Sequence, residues 1–266
     1  MTKYLYNELA KRDIINMASD MLRSGHLYQR DTDGKLQADG KVAWDTPWYH
    51  VKDHVGINCQ LWSHFMWRQL FKRQPKWLTE SRQFLPSGCQ QCFKVVVRPP
   101  TLKALFSLLE LQKRLDKPSK CGIEHRLYVF GHYGGYFYTR GLEQGKRRYK
   151  EVRAAVDADP GLGPEIKVIL KRACTEMEEA VGPSDKWEVF KDQMDLESLI
   201  YDSFNVDRIA RSQSEMGQRY VVARWIEHAY SWGDETALEY IDPERPFCAP
   251  LVTYHHLVDE ESEVKK

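Results

Sequence analysis

Four cysteines carry the clearest chemical signal in this chain of 266 residues. Cys89 and Cys92 sit in SGCQQCFKVVVRPP, and with Cys121 and Cys174 they give the spacing C-x2-C-x28-C-x52-C. A thiolate is a nucleophile, a redox centre or a soft metal ligand. Four of them at one place would hold tetrahedral zinc or an iron–sulfur cluster. Structural zinc sites usually come as two close pairs, whereas here one pair is followed by two distant single cysteines. That spacing favours a [4Fe–4S] cluster, with zinc as the alternative. A redox role for the Cys89/Cys92 pair alone is a further reading, although a thioredoxin-like pair needs a helix N-terminus and Phe93 opens a strand. A buried thiol also serves as a small core residue, the role expected of Cys59 and Cys248. Cys174 stands just before Thr175-x-x-Glu178, a capping-box pattern whose amides would favour a thiolate, so ligation and nucleophilic chemistry are both open to it.

The elements that must position these thiols alternate in a recognisable order. Phe93 to Arg98 reads as a strand, and Leu102 to Leu115 as a helix with Leu102, Leu105, Phe106, Leu109 and Leu115 inward. Ile123 to Phe130 and Gly135 to Arg140 read as strands joined by a Gly131–Gly134 turn, Leu142 to Val156 as a helix, and Ile166 to Lys171 as a fourth strand. The fold class is therefore α+β, with a ferredoxin-like βαββαβ core and an antiparallel sheet. Strand direction then places Cys89, Cys92, Cys121 and Cys174 together at one edge. Strands two and four lie far apart in that arrangement, so the loops would have to curl inward. The chain divides into an N-terminal helical segment with a hairpin or loop (1–86), the core (87–176) and a C-terminal helical segment and tail (177–266). Helices are expected at 4–22, 55–71 and 216–232, the first two flanking a turn-rich 28–48 stretch.

A second constellation comes from strand alternation. Phe93, Val95 and Val97 share a face with Ile166, Val168 and Leu170, so Lys94, Arg98, Lys167 and Lys171 point the other way. Tyr136 and Tyr138 add aromatic rings to that basic face. Single-stranded nucleic acid binds on such surfaces by stacking and phosphate contacts, which gives an alternative function. The competing reading is that the terminal helices cover the face. His50 and His54 would share a helix face as metal ligands, but no convincing third ligand accompanies them.

Bulk properties narrow the partners. With 39 basic and 38 acidic side chains the net charge is +1, so no global field draws the chain to nucleic acid or membranes. There is no apolar run of about 18 residues, and the start MTKYLYNELAKRD is charged where a signal peptide needs an apolar core. A cytoplasmic protein with no membrane partner is expected, its partner a redox protein or small-molecule substrate, with nucleic acid reached only through a local patch.

Overall fold

Val95, Val96 and Val97 form the centre of the sheet, all fully buried. β-Branched residues fit a pleated surface packed on both faces, and each buried side chain contributes about 1.5–3 kcal/mol relative to exposure. The computed structural model describes residues 28–30, 32, 36–38, 47–52, 87–127, 129–175, 177–178, 182–187 and 213–242. Within them run β1 (Tyr28–Arg30), β2 (Leu36–Ala38), β3 (Trp48–Lys52), α1 (Ser87–Gln90), β4 (Cys92–Arg98), α2 (Leu102–Leu115), β5 (Ser119–Ile123) and β6 (Tyr133–Arg140). They continue with α3 (Leu142–Asp157), β7 (Lys167–Arg172), a 3-10 turn at Ser184–Lys186, α4 (Glu215–Trp232) and a 3-10 helix at Glu235–Tyr240. The helices expected at 4–22 and 55–71 lie outside the described residues.

β1 and β2 pair as a hairpin. The other strands form one five-stranded sheet in the order β3-β5-β6-β4-β7, with every neighbouring pair antiparallel. This is an α+β architecture: α2, α3 and α4 pack on one side of the sheet. Thr101 caps α2 by accepting a hydrogen bond from Ala104 N at 3.2 Å, and Asp116 ends it in the left-handed conformation, φ 46°. In α3, Gly145 lies against the sheet, where a Cβ would stand 3.1 Å from Leu170 Cδ1 and from Phe93 Cβ.

The second strand of the core lies earlier than the sequence suggests. It spans Ser119–Ile123 instead of Ile123–Phe130, because Asp116 and Pro118 turn the chain directly from α2 into the sheet. Two residues of the apolar run that suggested the later strand face solvent: Leu127 is 102% and Phe130 80% exposed. A connection of residues 124–132 replaces the expected tight turn, closed by Glu124 N donating to His132 O at 2.8 Å.

β3 forms an edge that the sequence reading does not contain. It pairs with β5, and α4 packs over it. Trp225, with no exposed surface, donates from Nε1 to Pro47 O at 2.8 Å, and the same carbonyl accepts Ile123 N at 3.3 Å. Gln213 and Gln218 of the α4 region bond the backbone of Trp48 and His50. His50 is thus a strand residue, not a member of a helical histidine pair with His54, which lies outside the described residues.

This docking depends on Gly122, where a Cβ would lie 2.0 Å from Pro47 O. Gly122→Ala is expected to push β3 off the edge and cost about 1–3 kcal/mol, read as a lower urea midpoint. An unchanged midpoint would show that the sheet does not need this close approach.

Candidate thiolate site

The register separates the four cysteines. Cys92 pairs with Arg140 at one end of β4, whereas Cys121 pairs with Gly135, which faces Val97 near the other end. Five residues along the strand correspond to about 17 Å, and two strand spacings across add about 10 Å. Their faces differ as well: Cys121 belongs to the core beneath the helices, and Cys92 clusters with Val96, Tyr136 and Tyr138 on the far face. Complete burial pushes the Cys121 thiol well up, so it stays neutral and acts as a small core residue. The shift of β5 to earlier residues is the physical reason: Cys121 lies inside the strand rather than before it.

Cys89, Cys92 and Cys174 do lie at one edge of the sheet. Cys89 is in α1 and Cys92 opens β4, both buried, while Cys174 follows β7 and is half-buried. Three clamps fix their backbone: Gly141 N donates to Gln91 O at 2.7 Å, Ala173 N to Cys92 O at 2.8 Å, and Arg172 Nε to Gln90 O at 2.7 Å. Zinc or an iron–sulfur cluster binds sulfur directly at about 2.3 Å, so its ligands must converge closely. Among the described residues, no group of three or more His, Cys, Asp or Glu side chains could hold a metal ion. The residues present therefore do not fit the four-cysteine cofactor site.

What the edge contains instead is an ammonium against a sulfur. Lys94 Nζ lies 2.8 Å from Cys174 Sγ, although Lys94 is only 5% exposed. The rings of Tyr138 and Tyr136 stand 5.4 and 6.0 Å from the same nitrogen, within cation–π range. Lys94 is also directly opposite Lys171 across the β4–β7 ladder. Like charges so placed repel, and each lysine turns to its own partner. Lys171 donates to Thr175 Oγ1 at 2.8 Å and to Glu178 Oε2 at 3.0 Å, while Lys94 turns to Cys174.

Ala173 makes that geometry. Its φ of +50° is left-handed, a conformation costing an L-residue about 1–2 kcal/mol. It directs the chain out of β7 into the turn in which Met177 N and Glu178 N donate to Cys174 O at 3.0 and 3.4 Å. Among the described residues only Asp116, a helix cap, shares this feature without being glycine. Burial pushes the Glu178 carboxyl up, but hydrogen bonds from Ser184 and Lys171 outweigh it and hold the group below the usual range.

The other residues singled out by alternation share the far face. Lys94, Arg98, Tyr136, Tyr138, Lys167 and Lys171 are joined there by Trp48 and Lys120, whose Nζ lies 4.6 Å from the Trp48 ring centre. Tyr136 and Tyr138, at 6% and 9% exposed, are buried with Lys94, so the face is not an open stacking platform. Arg98 is committed elsewhere. With Arg126 and the Tyr136 hydroxyl it surrounds the buried Glu124: Tyr136 OH donates to Oε2 at 2.8 Å, Arg126 Nε donates to Oε1 at 2.6 Å, and Arg98 Nη1 stands 3.6 Å from Oε2. Of the six, only Lys167 is exposed, with Nζ 5.6 Å from the Phe130 ring.

No protein-family model, curated protein or solved structure matches this chain. Among the described residues, no helix is long and apolar enough to cross a membrane. The sequence signal for the Lys94–Cys174 pair was weak: the lysine stood in the alternation of β4, but its partner is 80 residues away.

Proposed function

We propose that the protein works through a reactive thiolate at Cys174, held by the buried Lys94 ammonium, with Cys92 the neighbouring thiol on the same edge. The reaction class is nucleophilic displacement: the sulfur bonds to one oxygen of a peroxide, one sulfur of a disulfide or an activated acyl carbon, while the O–O, S–S or acyl–leaving-group bond breaks and its electron pair departs on the displaced alkoxide, thiolate or leaving group. The 2.8 Å contact between Lys94 Nζ and Cys174 Sγ carries the reading. A buried ammonium needs hydrogen-bond acceptors, and the Cys174 sulfur lies at hydrogen-bond distance from this one. The thiolate is the form of cysteine that attacks electrophiles, and a neighbouring cation favours it. The left-handed Ala173 supports the same reading, since strained backbone concentrates at functional sites.

The βαββαβ portion reads as a ferredoxin-like unit with β3 added beside the second strand. Support comes from the sheet order, in which the unit's second, third, first and fourth strands lie side by side.

Timed alkylation with iodoacetamide, followed by peptide mapping, tests the thiolate. Cys174 should be modified first, at least about tenfold faster than Cys121, which needs the core to open. Comparable rates at the two would overturn the reading. Stoichiometric zinc or iron in the purified protein, lost on Cys174→Ser, would overturn it in favour of metal ligation.

A further inference from the structure

β7 ends the sheet on the side away from β3. Its residues pair with β4, and among the described residues nothing bonds the main chain of Val168, Ile169 or Leu170 on the outer side. Such an edge presents a row of donors and acceptors to any extended chain. An open groove of about 630 Å³ runs beside it between α3 and β7. Lys146, Arg147 and Lys150 line its helical wall with Tyr149, and Leu170 lines its strand side. All three cations are exposed.

The charge at this groove is one-sided. Glu143, the acid in its lining, is held by Lys146 at 2.8 Å, whereas Arg147 and Lys150 make no ion pair among the described residues. Lys167 adds a further exposed cation at the start of the edge strand. A cationic edge repels a second copy of β7, which brings Lys167 and Lys171 with it, and offers a neutral strand the backbone ladder alone. An acidic strand gains both the backbone ladder and the charges, so the same lysines exclude wrong partners and select one.

We propose that the β7 edge and the α3 groove dock an extended acidic segment of a partner protein as a sixth strand. Its alternate carboxylates would face α3 and meet Lys146, Arg147 and Lys150, and the intervening apolar residues would lie on the other face beside Ile169. This surface is independent of Cys174.

The test uses the full chain and fluorescence anisotropy with a labelled peptide of about ten residues alternating Glu and Val, long enough to span a typical strand. This peptide should bind, and its Lys–Val counterpart should not. N-methylation of one set of alternate amides should abolish binding, while methylation of the other set should spare it, because only one set faces β7. Charge reversal by Lys146→Glu, Arg147→Glu and Lys150→Glu together should weaken the acidic peptide about tenfold or more and admit the basic one. These are surface positions, and an unchanged melting curve confirms that the variant folds. Absence of binding, or equal binding of both methylated peptides, would overturn strand addition. Displacement by oligothymidylate with matching affinity would reassign the groove to nucleic acid, and a dimer that blocks the peptide would reassign the edge to self-association.

Discussion

Lys94→Met should slow the alkylation of Cys174 at pH 7 by about 10- to 100-fold, the range expected when a charged hydrogen bond worth about 1.5–3 kcal/mol to the thiolate is lost. The substitution keeps the length and most of the volume of the side chain while removing the ammonium that lies 2.8 Å from the sulfur. It also removes the like-charge opposition to Lys171 on the paired strand, so folding stability need not fall with reactivity. Lys171→Met is the matched control: it deletes a cation from the same edge whose partners are Thr175 and Glu178, and it should leave the Cys174 rate within about threefold. If both variants slow the reaction equally, the general field of the edge sets reactivity. If neither does, the sulfur owes nothing to Lys94 and the proposed function falls.

The second large effect is expected at the opposite end of the same face. Glu124→Gln should cost about 3–5 kcal/mol, because it strips the countercharge from Arg98 and Arg126 in a site where the carboxylate is 4% exposed. Burial, the strongest influence on Glu124, raises its carboxyl; hydrogen bonds and charge from Arg126, with the Tyr136 hydroxyl, together outweigh it and leave the group below its ordinary value. A carboxyl depressed in the folded state stabilises fully above its unfolded value, near about 4.3, and that contribution is lost as pH falls through the folded value. Wild-type stability should therefore fall on acidification below about pH 4.5, and the slope should flatten in Glu124→Gln. Urea titrations of both proteins between about pH 2.5 and 7 measure this, and parallel slopes would place the acid-sensitive group elsewhere.

Local signals read well where they agreed with one another. The apolar stripe of Leu102–Leu115 marks a helix, and the helix occupies those residues. Alternation in β4 and β7 placed Lys94, Arg98, Lys167 and Lys171 opposite the helices. Hydrophobicity misled at Leu127 and Phe130, since a short apolar run marks a strand only if something covers it, and these two face solvent. That error moved Cys121 to the sheet edge in the sequence reading and made a core thiol look convergent with the other three. Trp48–Lys52 went unread for a different reason: its partners are Gly122 on β5 and Trp225 on α4, and no window around Pro47 contains either. The Lys94–Cys174 pair was hidden in the same way, because it needs both the β4–β7 register and the left-handed turn at Ala173.

The Pro47 carbonyl also sets a clock. It is held by Ile123 and by Trp225, the latter 178 residues later in the chain. At about 5–20 residues per second on the ribosome, roughly 9–36 s pass between synthesis of Pro47 and of the indole that secures it. Throughout that interval β3 has no anchor from α4, and β5, once made, has a flank that α4 does not yet hold. A nascent chain would therefore depend most on chaperone cover just before residue 225 emerges, and stalled chains too short for Trp225 to have left the ribosome should be far more sensitive to protease at β3 than chains long enough to expose it.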